Sequence, residues 1–255
     1  MKIKILAALS IFVFGGNAYA QLTSRSGTGA TPASLTPVRD QFRSDLGGGT
    51  TAGANGSYGG LRREVNWDGV PASLSAPNSF PADFFNLTSP RGLVVATPGT
   101  GFQVSGAVGG TAAINFGNFN AGYTFQPFSA QRMFTAVGSN AFDVYFFVPG
   151  TSVAAVVDGF GAVFEDVDQS NTTSVQFFDV AGANLGTYFV PSLSGGLSFL
   201  GAYTSNGKPK IARVRITDGN AVIGASDNGA GSDIVVNDDF IYGEPVDILF
   251  ADGFE

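Results

Sequence analysis

From Leu61 to about Pro245, short apolar runs alternate with clusters of Gly, Ser, Asn and Asp. The runs "REVNW", "GLVVAT", "GFQVS", "AAINF", "RMFTAV", "FDVYFFV", "GFGAVFEDV", "SVQFFDV", "GTYFVP", "LSFLGAY", "IARVRIT", "NAVIGA" and "DIVVNDDFIY" have strand length. Their spacing is close to the roughly 8–12 residues that separate strands in a sandwich or barrel. No repeat of fixed period accompanies them, which disfavours a propeller or solenoid. The pattern predicts an all-β fold, a single antiparallel β-sandwich over residues 61–245.

Two runs fix their own faces. In "KIARVRIT", Ala212, Val214 and Ile216 fall on one side, with Arg213 and Arg215 on the other. In "DIVVNDDFIY", Ile234, Val236, Asp238, Phe240 and Tyr242 share a side, with Asn237 and Asp239 opposite. Without a bulge, Asp238 therefore faces the core. An ionised carboxylate there is costly unless it is paired, hydrogen-bonded or metal-bound. Arg213 or Arg215 on a neighbouring strand is one expected partner, and a cation shared with other carboxylates is the other.

The ends of the chain break the pattern. Residues 21–60 are mostly Gly, Ser, Thr and Ala, too poor in apolar side chains to offset the cost of ordering. They predict a flexible leader holding one short helix at 37–46, with Thr36 as N-cap, Pro37 at its first position and Gly47 as its stop. Before it, Lys2 and Lys4 precede an apolar run from Ile5 to Phe14 and the small-residue exit Ala18-Tyr19-Ala20. This is the pattern of a bacterial secretory signal peptide over residues 1–20, cut after Ala20. Its apolar run is too short to span a bilayer, and no later stretch is longer. Gln21, where a lipoprotein has Cys, gives no sign of a lipid anchor. Beyond Pro245, residues 246–255 form an acidic tail, "VDILFADGFE".

Composition supports the β reading: 36 Gly, 24 Phe, and sixteen Asp against four Glu, where Asp favours turns and Glu favours helices. The formal charge is −7, or −9 once Lys2 and Lys4 leave with the signal, which argues against nucleic acid as a partner. The chain has no His and no Cys. A Ser-His-Asp triad, a thiol nucleophile, a zinc–thiolate cluster and haem attachment are therefore excluded on this chain alone. Two-carboxylate glycoside hydrolysis survives, with Glu64, Glu165, Asp166 and Asp168 as its candidates. "FEDVD" falls short of a Glu-x-Asp-x-Glu strand, because Gln169 occupies the third position.

Calcium suits the inventory better, since it takes carboxylate, amide and backbone oxygens. "DVDQSNTT" opens like an EF-hand loop with Asp166, Asp168 and Ser170, then places Asn171 where Gly is required and Phe177 where the bidentate Glu belongs. It is not an EF-hand, and turn formation is the commoner use of such residues. Trp67, Tyr58 and Tyr123 are candidate sugar platforms, although a single Trp in a Phe-rich sandwich more often packs in the core. Lys208, Lys210, Arg213 and Arg215 suit either an acidic polysaccharide or cross-strand pairing with aspartates.

The segments "VNWDGVP", "GFGAVFEDVD", "FFDVAGANLGTYFVP", "FLGAYTSNGKPKIARVRITDGN" and "VNDDFIYGE" together resemble a class of exported bacterial β-sandwich proteins, many of which end in PEP-CTERM-type sorting tails. In fold those proteins are similar to galactose-binding-like jelly rolls and carbohydrate-binding modules. The resemblance implies a jelly-roll and a structural calcium held by Asp238 and Asp239 of the last strand with Asp68 of the first. The tail departs from the sorting pattern, having no spanning run after Pro245, and resembles acidic endings of exported gammaproteobacterial proteins. The expectation is an exported, non-enzymatic module, structural or adhesive, that is calcium-stabilised and binds carbohydrate. A carboxylate-based polysaccharide hydrolase and a surface-layer or matrix subunit are the alternatives.

Overall fold

A computed structural model of the protein describes residues 22–48, 61–107, 115–206, 208 and 210–251. The expected signal peptide, Tyr58, most of "AAINF" and the last four residues of the tail lie outside the described residues.

Two antiparallel sheets face each other. One has seven strands, in the order β1 (Thr23–Gly29), β11 (Leu193–Tyr203), β8 (Gly159–Val167), β13 (Val236–Gly243), β5 (Phe134–Val137) and β4 (Gly101–Val104), with β2 (Arg62–Val65) also paired to β13. The other has five, in the order β10 (Asn184–Phe189), β9 (Ser174–Phe178), β12 (Arg213–Thr217), β6 (Ala141–Phe146) and β3 (Leu93–Ala96). A small ribbon joins β7 (Ala155–Val156) to β14 (Val246–Asp247). Two α-helices accompany the sheets, α1 (Pro32–Asp45) and α2 (Phe84–Leu87). Among the described residues no helix is long and apolar enough to cross a membrane.

The core follows strand alternation. On β8, Phe160, Ala162 and Phe164 point between the sheets, against Phe142, Val144 and Phe146 of β6 and Val214 and Ile216 of β12. Val163 points the other way, into a second cluster under α1 with Leu35, Phe42 and Phe199. On β12 the predicted faces hold: Val214 and Ile216 are fully buried, while Arg213 and Arg215 reach Asp143 of β6 across the outer face.

Four expectations are corrected. Residues 22–48 are part of the fold rather than a flexible leader. β1 runs along β11 in register from Thr23↔Tyr203 to Gly29↔Leu197, so backbone hydrogen bonds order a stretch that has few apolar side chains. The helix also starts earlier than expected. Of the two Thr-Pro pairs, Thr31-Pro32 opens it: Ser34 N donates to Thr31 Oγ1 at 3.3 Å and Thr31 N donates to Ser34 Oγ at 3.0 Å, a reciprocal cap that leaves Pro37 inside. Phe42 of α1 is fully buried over Gly161 and Gly201, where an added Cβ would come within 2.9 and 2.7 Å of its ring. The sheet thus accepts the helix because two positions carry no side chain. "NAVIGA" is loop rather than strand, with Ile223 anchoring it to a third cluster that includes Met133, Ile234 and Val236.

The fourth correction concerns the last strand. Against β8, Asn237 pairs with Phe164 but Phe240 pairs with Ala162, so Asp238 and Asp239 together stand opposite Val163 alone. This bulge at Asp238 and Asp239 breaks the alternation. Phe240 and Tyr242 belong to the central core, Val236 to the third cluster and Ile241 to the cluster under α1. The even positions of the run do not share one face.

Candidate metal centre

β8 ends at an irregular place. Val167 pairs with Leu193 and Glu165 with Leu197, so β11 carries extra residues between them. Opposite that excess, Asp166 adopts a left-handed backbone with φ 61° and accepts a hydrogen bond from Gly195 N at 2.5 Å. Asp tolerates this conformation better than most residues.

The loop that follows is held from below by Asp233, which is fully buried. Its carboxylate accepts from Asp168 N at 3.2 Å, Gln169 N at 3.1 Å and the Thr172 hydroxyl at 2.6 Å. A second loop, residues 226–233, closes over the first. Asn228 Oδ1 accepts from Gly231 N and Ser232 N at 2.8 and 3.0 Å, and Gly229, at φ 65°, lies so close that an added Cβ would sit 3.1 Å from Asp168 Oδ2. Only glycine combines that φ with that approach.

The outcome is a group of three half-buried carboxylates, Asp166, Asp168 and Asp227, each offering an oxygen within 4.8 Å of the others. They line a cavity of about 250 Å³ together with Tyr123, Ser194 and Asn228, and among the described residues no Lys or Arg lines it. Asp168 Oδ1 and Asp227 Oδ1 are buried without a hydrogen-bond partner. Burial, then the charges of Asp166 and Asp168, push Asp227 up to about 6. Burial also raises Asp166, with Asp168 and Asp233 adding to it. Three acidic oxygens facing one another with no protein cation are an arrangement that could hold a metal ion, and its donors are all hard oxygens.

Asp68, Asp238 and Asp239, the ligands implied by resemblance, sit elsewhere, around the loop at Phe128–Arg132. Asp238 is fully buried, and its carboxylate accepts from Phe128 N at 2.6 Å, Ser129 N at 3.1 Å and the Ser129 hydroxyl at 3.0 Å. Burial pushes its pKa well up, with Asp239 and Glu165 adding to the effect. Asp239 meets Arg39 at 3.5 Å, and Asp68 accepts from Arg132 N at 3.1 Å. The expected guanidinium partners of Asp238 are engaged with another acid: Arg213 binds Asp143 at 2.9 Å and Arg215 binds it at 2.9 and 2.8 Å. Lys208 and Lys210 are exposed.

Of the four acids named for hydrolysis, Asp166 and Asp168 share the acidic cavity. Glu64 is gripped by Arg43 and Arg62. Glu165 is buried, which raises its pKa well above the usual range against amide donation from Gln126 and Phe128. Two of the expected aromatic platforms are internal: Trp67 is 1% exposed and stacks on Phe134 at 4.1 Å, and Tyr123 is buried with its hydroxyl bonded to Ala225 O.

Sequence reading reached Asp166 and Asp168 but not Asp227, which lies 59 positions beyond Asp168 in "SDNGAGSD". That Gly-, Asn- and Asp-rich run was a signal for a turn, and only the fold shows what it turns against. Comparison of the chain with protein-family models, with curated proteins and with solved structures found no match.

Proposed function

We propose that the protein is an exported, non-enzymatic β-sandwich module, structural or adhesive, in which one calcium ion at Asp166, Asp168 and Asp227 ties the end of β8 to the 226–233 loop. The observation that carries this reading is the mutual approach of three carboxylate oxygens within 4.8 Å in a cavity to which no described residue brings a cationic side chain. Calcium is favoured over softer metals because the chain has neither His nor Cys. It is favoured over magnesium because the carboxylates come from the end of β8 and from two separate loops, an irregular set that suits an ion accepting roughly six to eight oxygens. Export rests on the pattern of the first twenty residues.

An ion that binds only the native state raises stability in proportion to the logarithm of its concentration. The test is thermal melting of the mature chain in EDTA, in CaCl₂ and in MgCl₂. The expected result is a melting temperature that rises with Ca²⁺, rises less with Mg²⁺, and no longer responds in Asp227→Asn. A wild-type melting temperature indifferent to saturating Ca²⁺ would sink the reading.

A further inference from the structure

A second cavity, of about 310 Å³, opens between the loop after β2 and the segment from α2 to Arg91. Leu74, Phe84 and Phe85 give it an apolar wall, and Asn66, Thr88 and Arg91 also line it. Its size is at the lower end of small-molecule pockets.

Arg91 is the unusual member. Its Nε donates to Glu64 O at 3.1 Å, its Nη1 donates to the Ser89 hydroxyl at 2.6 Å, and its guanidinium lies over the Phe85 ring at 5.7 Å. These contacts hold the fork in place, yet none is with a carboxylate, and among the described residues Nη2 meets no acceptor. The nearby acids are already engaged: Glu64 by Arg43 and Arg62, Glu244 by Arg63. Burial lowers the Arg91 pKa, and Arg63 pushes the same way against Tyr242, so the positive charge is under-compensated. In a chain of net charge −7, an oriented, half-buried guanidinium without a counter-ion is a costly placement that an anionic ligand would relieve.

We infer that this cavity is a binding site for a small organic carboxylate, held by the Arg91 fork, with its ring or carbon skeleton against Phe84, Phe85 and Leu74. A carboxylate matches the planar fork in two-point contact, which a lysine at the same place would not provide. The apolar wall calls for a ligand with a hydrocarbon or sugar-ring face rather than a bare inorganic anion. A uronic acid and an aromatic acid share this chemistry. The inference stands apart from the calcium reading, because no residue lining this cavity belongs to the acidic cluster.

The experiment is calorimetric titration of the full mature chain with glucuronate, benzoate, glucuronate methyl ester and inorganic phosphate, in Ca²⁺ and in EDTA. The fluorescence of Trp67, the single tryptophan, serves as a second readout, since its ring is 5.5 Å from that of Phe85. At least one carboxylate is expected to bind saturably in both buffers, with the ester and phosphate at least tenfold weaker. Arg91→Gln should weaken binding at least tenfold. Because that change also removes contacts to Glu64 and Ser89, Gly69→Leu is the second variant: a Cβ there meets nothing within 4 Å, so the side chain can fill the cavity without strain. It should abolish binding and leave the melting temperature unchanged. Tighter binding of benzoate or of glucuronate identifies the source of the carboxylate. No saturable binding by either acid, equal binding of acid and ester, phosphate binding as tightly as the acids, or wild-type affinity in both variants would overturn the inference. If the Ca²⁺ response persists in that case, the metal centre stands without this pocket.

Discussion

Asp238 and Asp227 are both aspartates crowded by other acids, and the fold treats them in opposite ways. Asp238 is fully buried beside Asp239 and Glu165, and two backbone amides and a hydroxyl converge on its carboxylate. Asp227 is half-buried beside Asp166 and Asp168, has an oxygen with no hydrogen-bond partner, and faces no guanidinium. Donors supplied by the chain make the first acid a fixed part of the framework. Their scarcity at the second leaves a negative charge for something outside the chain to neutralise.

The sharpest way to break the comparison is to delete each acid. Asp238→Ala strands Phe128 N, Ser129 N and the Ser129 hydroxyl in a buried corner, so urea unfolding should show a loss of about 3 kcal/mol, the same in Ca²⁺ and in EDTA. A loss that appears only in Ca²⁺ would mean that Asp238 is an ion ligand after all. Asp227→Asn should behave in the reverse sense. In EDTA it relieves repulsion and leaves stability level or slightly higher. In Ca²⁺ it forfeits the linkage term, about 2.7 kcal/mol at a hundredfold excess over Kd.

The contrast also shows what the sequence could convey. β12 was legible because its alternation is unbroken: Val214 and Ile216 point in, Arg213 and Arg215 point out. β13 was misread because a bulge leaves no trace in a pattern of apolar and polar letters; "VNDDFIYG" reads as regular until its neighbour β8 shows two residues opposite one. β1 was missed for a related reason. "TSRSGTG" buries little of its own side-chain area and is held by main-chain bonds to β11, which composition does not record. The acidic cluster combines both difficulties, since Asp166 and Asp168 are two positions apart in the chain while Asp227 arrives only through the folding of a distant turn.

Titration separates the corners at lower energy. Asp227 has its pKa raised to about 6 in the folded chain, from an ordinary value of 3.8. The folded state therefore holds this proton more tightly than the unfolded state. The resulting stabilisation is complete below about pH 3.8 and is lost as pH rises through about 6. Because the group is only half-buried and solvent screens its charge, the loss should be about 1 kcal/mol in EDTA. Saturating Ca²⁺ should abolish it by favouring the ionised form, and Asp227→Asn should abolish it in either buffer. Asp158, raised to about 6 by burial alone, should keep its own decline over the same pH range whether or not Ca²⁺ is present. A pH profile that Ca²⁺ does not alter would remove the distinction between the corners.

The smallest effect should come from a third arrangement, in which side-chain cations rather than amides or an ion meet the acid. Asp143 on β6 lies directly opposite Arg215 on β12 and is held by both Arg215 and Arg213. The Arg215 side chain is 47% exposed, so water already screens its charge and its ordering offsets part of the Coulomb gain. Arg213 remains 2.9 Å from Asp143 when Arg215 is removed, and its guanidinium is packed 3.6 Å from the centre of the Phe178 ring. Arg215→Gln should therefore cost about 0.5 kcal/mol, fading with added salt. A double-mutant cycle with Asp143→Asn measures the coupling directly. A coupling as large as the Asp238→Ala loss would mean that surface guanidiniums neutralise acids here as strongly as buried amides do, and the ranking of the three arrangements would have to be reversed.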